Sequence, residues 1–95
     1  MVNGETKSGF KFEINEGIGT DFRVMEAIVD SESEDASDRL RGAVELVRYV
    51  LGADGKKALY DHLHGIYGTV PTDKVLGEVT EILQIARDKS KEIKN

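Results

Sequence analysis

Residues 36–51, ASDRLRGAVELVRYVL, decide the fold. Leu40, Ala43, Val44, Val47 and Leu51 recur at intervals of three and four, the period of a helix that buries one face. Gly52 follows where a helix C-terminal glycine belongs. Downstream, Asp54 is placed to cap a second helical stretch that opens near Gly55. That stretch carries Leu59, Leu63 and Ile66 on one face and stops between Gly65 and Gly68. Val70-Pro71-Thr72 reads as an extended link, with Thr72 placed to cap a last helix whose stripe is Val75, Val79, Ile82, Leu83 and Ala86.

Upstream, Asp30 to Asp35 is a polar acidic run, DSESED, that cannot bury itself and is expected as a loop or an exposed helix start. Before it, Phe22, Met25, Ile28 and Val29 recur at helical spacing, and Gly17, Gly19 and Thr20-Asp21 supply a break and capping side chains. Phe10, Phe12 and Ile14 alternate with Lys11, Glu13 and Asn15, the period of a strand with one buried face. Glu5 to Lys7 can pair back across Ser8-Gly9, giving a hairpin over about residues 5–15. Because an isolated hairpin is marginal in water, its phenylalanine face must pack on the helices. The expectation is a single α+β domain over residues 1–95, mostly helical: an N-terminal β-hairpin followed by about four α-helices across residues 20–95.

At 95 residues and 39% hydrophobic content the chain has room for one modest core, and contact with neighbouring copies is a natural way to cover what such a core leaves exposed. A homo-oligomer is therefore expected. The 18 acidic against 13 basic residues give a net charge of −5, which disfavours nucleic acid. Lys89, Lys91 and Lys94 gather near the C-terminus, but Asp88 and Glu92 interleave with them, as on a solvated helix end. The absence of Cys removes disulfides, thiol catalysis and thiolate metal sites. Met1 to Ser8 lacks the apolar stretch of a signal peptide, and no apolar run is long enough to span a membrane, so the cytosol is expected.

Motifs for chemistry fall short. His62 and His64 stand two apart, roughly 160° around a helix, whereas helix-borne metal ligands need spacings of three or four. A calcium loop starting at Asp30 would need glycine where Asp35 stands and glutamate where Arg41 stands. Gly52-Ala53-Asp54-Gly55-Lys56-Lys57 lacks the upstream glycine and the trailing Ser or Thr of a phosphate loop. No serine lies in a nucleophile signature, and a core this small seldom holds a deep pocket. The expectation is a protein with no catalytic residues, cofactor or metal. More informative are apolar residues off the stripes. Ile85 projects roughly 120° from the centre of the last stripe and Tyr49 about 180° from Leu40, while Tyr60 and Tyr67 share a helix flank. Tyr60, Tyr67 and Ile85 are the candidate partner contacts.

The order Ser8-Gly9-Phe10, Glu13-Ile14, Asp21-Phe22, Leu51-Gly52, His62-Leu63 and Gly68-x-Val70-Pro71 resembles the tail assembly chaperones of tailed phages and prophages of Gram-positive bacteria. The resemblance runs from about Lys7 to Ile85. It implies a non-enzymatic protein of the host bacterial cytosol that coats the tape measure protein, keeps it soluble and helps recruit tail tube subunits. The residues alone are also compatible with a small protein-interaction or regulatory domain, since both roles need amphipathic helices, apolar patches and an acidic surface.

Overall fold

The structure, a computed structural model, describes residues 1–94, with side chains through Lys89. The chain opens with β1 (Val2–Glu5) and β2 (Lys11–Ile14), continues through a short 3-10 turn (Ile18–Thr20), and then forms α1 (Phe22–Ser31), α2 (Ala36–Tyr67) and α3 (Thr72–Lys94).

The hairpin is antiparallel, pairing Val2 with Ile14 and Gly4 with Phe12. It starts earlier than the expected Glu5, because Val2 itself is buried opposite Ile14 and extends the ladder. Lys7, instead of pairing in a strand, belongs to the turn. Gly9 N–H donates to the Thr6 carbonyl and Thr6 N–H to the Phe10 carbonyl, both at 2.9 Å. Gly9 takes φ +92°, the left-handed residue that closes a three-residue hairpin loop. Phe10, Phe12 and Ile14 are buried on the helices as the alternation requires. Phe12 lies across Gly4 so closely that a Cβ there would sit 2.6 Å from the ring, with Ile85 of α3 the next neighbour.

The described residues form three α-helices in place of about four. The two middle helices expected from the sequence run together as α2, because Gly52 alone separates them and no linker residues intervene. Gly52 has φ +74° and ψ 176°, a conformation essentially confined to glycine, so it bends α2 into a first limb (36–51) and a second limb (53–67). The second limb is helical from Ala53, which leaves Asp54 inside the helix and not at its cap. Gly68, at φ +74°, ends it by donating its N–H to the His64 carbonyl at 2.8 Å. Thr72 is likewise the first residue of α3 and not its cap; the carbonyl of Pro71 accepts from Lys74 and Val75.

Asp21 caps α1, accepting from the Arg23 N–H at 2.9 Å while also pairing with the Arg23 guanidinium at 2.8 Å. Those hydrogen bonds lower the Asp21 carboxyl from 3.8 to about 2. Asp35 caps α2 through the Asp38 N–H. The acidic run therefore supplies the end of α1, a short connection and a cap.

Two helices bury a different face from the one expected. On α1 the buried set is Val24 and Ala27, with Ile28 partly buried, while Phe22 (78% exposed), Met25 and Val29 point outward. The reason lies on α2: a Cβ at Gly42 would stand 2.4 Å from the Ser31 nitrogen and 2.6 Å from Asp30, so the bare backbone of Gly42 lets the end of α1 come close and fixes which face it turns inward. On the first limb Ala43, Leu46, Val47 and Val50 are buried and Leu40 (60% exposed) and Val44 are not. Both sets obey helical spacing; contact with α1 on one side and α3 on the other selects between them. In the second limb Leu59 and Leu63 are buried but Ile66 is exposed. The α3 stripe, Val75, Val79, Ile82, Leu83 and Ala86, is buried throughout. The side chains of Lys91, Glu92 and Lys94 lie outside those described. Among the described residues no helix is long and apolar enough to cross a membrane.

Candidate functional site

Two places combine unusual side chains. The first is polar and lies under the hairpin turn. Glu78 of α3 is only 8% exposed, yet its Oε1 accepts from the Thr6 hydroxyl at 2.9 Å and from the Ser8 hydroxyl at 2.6 Å. Ser8 Oγ also lies 3.0 Å from His62 Nε2 on the second limb of α2, and the His62 ring packs against Phe10 with centroids 5.5 Å apart. Thr6 Oγ1 accepts in turn from the Phe10 N–H at 3.2 Å, and the Lys7 N–H donates to Glu81 at 2.8 Å.

Serine, histidine and carboxylate together invite a nucleophile relay, but the order of contacts is different. In a relay the imidazole accepts the serine proton and the carboxylate holds the other ring nitrogen. Here the Glu78 carboxylate accepts from the Ser8 hydroxyl itself and does not hold the far ring nitrogen of His62. The arrangement is a clasp that fastens the hairpin turn to α2 and α3 and satisfies each buried polar atom.

The other histidine, His64, is exposed, and Asp61 is engaged with Lys57 at 2.7 Å. Among the described residues no three His, Asp or Glu side chains come together as a metal-ligand set. Of the carboxylates after Asp30, Asp35 acts as a cap and Asp38 pairs with Arg41 at 2.6 Å.

The second place is apolar. The first limb of α2, the Tyr60 side of the second limb and the start of α3 enclose an open groove of about 260 Å³. Leu40, Val44 and Val47 form one wall, Val75 and Leu76 the other, and Tyr60 and Val70 stand along it. It continues past Leu40 toward Ala36, Arg39 and Asp73. A cavity of roughly 150 Å³ admits a benzene ring, so this groove can take an aromatic side chain and more. The bend at Gly52 creates it, by folding the second limb back so that Tyr60 comes beside the first limb.

Of the three partner contacts read from the sequence, Tyr60 is half-buried and lines the groove. Tyr67 is exposed beyond it, with the Lys74 ammonium 5.6 Å from its ring centre. Ile85 is partly buried on the core beside Gly4, on the hairpin side of α3. Tyr49 packs between α1 and α2, with the Arg23 guanidinium 5.1 Å above its ring. The groove residues that off-stripe reasoning missed, Leu40 and Val44, lie on a stripe assigned to the core. The signal that marks them is excess: the first limb holds two overlapping apolar sets, and one core face can bury only one. No protein family, curated protein or solved structure matches the chain.

Proposed function

We propose that this chain is a non-catalytic protein-binding domain that receives an amphipathic helix of its partner in the α2–α3 groove. The observation that carries the reading is an open apolar groove whose wall includes Leu40 and Val44, both solvent-exposed. Contiguous apolar surface of this kind on a small acidic domain is the usual mark of a protein interface, and helix-in-groove docking uses such walls for residues at i, i+3, i+4 and i+7. Tyr60 offers contact area at low entropic cost beside them.

The resemblance to tail assembly chaperones gives the specific form of the proposal. The partner is then the tape measure protein, long, helical and prone to aggregate, which the domain keeps soluble in the bacterial cytosol while tail tube subunits are recruited. A groove that reads helical apolar faces and little else suits a client that repeats such faces along its length. Coexpression of wild type or Leu40→Asp with the tape measure protein of the same genome tests this. Soluble tape measure with wild type and aggregated tape measure with Leu40→Asp is the expected result. Aggregation with both removes the chaperone assignment, and a helical partner of another kind bound through Leu40 would favour the regulatory domain.

A further inference from the structure

Asn3 and Gly4 form the one Asn-Gly step in the chain, and it lies in the middle of β1. Asn-Gly is the dipeptide most prone to lose its asparagine amide, because glycine puts no side chain in the way when its backbone nitrogen attacks the asparagine side-chain carbonyl. Here the glycine is not free to change. A Cβ at position 4 would stand 2.6 Å from the Phe12 ring and 3.2 Å from the Ile85 side chain, so the packing that fastens the hairpin to α3 also fixes the reactive step.

The same packing holds the reaction off. Thr6 N–H donates to the Phe10 carbonyl, and hydrogen-bonded pairs alternate along an antiparallel ladder, so the next such pair is Gly4 with Phe12. The Gly4 nitrogen, the nucleophile, is thereby tied to the Phe12 carbonyl. The Asn3 carbonyl belongs to the same peptide group, points out of the ladder and accepts from the Lys89 ammonium. Closing a ring on Asn3 requires its ψ torsion to leave the strand value of about +135°, which turns that peptide group and breaks both contacts. The Asn3 side chain itself lies on the exposed face of the hairpin, opposite Glu13.

We propose that Asn3-Gly4 is a self-modification site, held shut by the docked hairpin and opened whenever β1 undocks. In the undocked chain the Gly4 nitrogen bonds to the Asn3 side-chain carbonyl carbon, and the bond from that carbon to the amide nitrogen breaks. Ammonia leaves with the Gly4 proton, and water opens the resulting cyclic imide at either carbonyl to give aspartate or isoaspartate. No oxidant or cofactor takes part. Aspartate puts a carboxylate opposite Glu13, and like charges facing each other across a ladder are destabilising. Isoaspartate adds a carbon to the backbone and throws Val2, buried opposite Ile14, out of register. Each conversion therefore weakens the hairpin whose opening allowed it.

The test follows the full chain by intact and peptide mass spectrometry at mildly alkaline pH, folded in buffer and unfolded in guanidinium. Conversion should localise to Asn3, with Asn15 as the internal comparison. It should be slower in the folded chain by at least about tenfold, since a docked strand opens only transiently. Asn3→Gln, whose longer side chain closes the ring poorly, should suppress conversion at this position. The isoaspartate form, separated by ion exchange, should melt below the parent chain. Equal rates in folded and unfolded chains, no conversion at Asn3 in guanidinium, undiminished conversion in Asn3→Gln, or an isoaspartate form that melts with the parent overturns the proposal.

Discussion

The hairpin side of α3 and the groove side of α2 are built from similar side chains put to opposite uses. Beneath the hairpin, Phe10, Phe12 and Ile14 are buried and every hydroxyl in the turn has a partner. Along the groove, Leu40 and Val44 remain in solvent. Apolar surface buried inside the molecule stabilises the fold, at about 25 cal/mol per Å²; left outside, it contributes nothing to folding and, on the proposed reading, serves a partner. Substitutions on the two sides should therefore separate, one set acting on stability and the other on binding.

The largest stability effect is expected at Phe12, whose ring covers Gly4 and joins the hairpin to the core. Phe12→Ala should lower stability by about 3–5 kcal/mol, read from urea unfolding midpoints. An unchanged midpoint would mean that the hairpin docks without its aromatic face. Next comes the clasp. Glu78→Ala leaves Thr6 and Ser8 without their acceptor and should cost about 1–3 kcal/mol, whereas Glu78→Gln, which keeps a carbonyl oxygen in place, should cost less. Equal losses for the two would show that the charge, and not the acceptor, fastens the turn.

The smallest effect belongs to Asp21, far from both regions. The Arg23 guanidinium beside it holds its carboxyl at about 2, below the ordinary value of 3.8, so the ionised form is favoured by folding. The resulting stabilisation is fully present above pH 3.8 and is lost as pH falls through 2. Asp21→Asn retains a capping side chain without the charge. Melting midpoints of wild type and this variant should differ at pH 5 and converge toward pH 2, with the gap reduced by salt because the pair is exposed. A gap that stays constant through this range would remove the Arg23 pairing as its cause.

The same contrast explains what could be read from the residues. On the strand of residues 10–14 and along the α3 stripe, periodicity alone identifies the fully buried side chains; Ile85, off that stripe, packs on the core only because the hairpin covers it. Gly52 and Gly68 announced their breaks because no other residue adopts their backbone conformations readily. On α1 and the first limb, two apolar sets share helical spacing, and the choice between them depends on how closely α1 approaches Gly42, a contact between separate helices. For that reason helical spacing alone points Phe22, Met25, Leu40 and Val44 inward, where the fold leaves them exposed. The clasp left no local signal, since Thr6 and Ser8 meet Glu78 across more than two thirds of the chain. Tyr60 was legible as an aromatic on a helix flank; the groove it lines required the bend at Gly52 to bring two limbs together.

The most direct test of the groove is Leu40→Asp measured twice, once for stability and once for binding. The side chain is mostly exposed, so its urea midpoint should match wild type within about 0.5 kcal/mol. In pull-down from coexpressing cells the same variant should lose the partner proposed for the groove, the tape measure protein, and wild type should retain it. A variant that is destabilised by several kcal/mol would place Leu40 in the core, and one that is stable and still retains the partner would show that the groove is not where it binds.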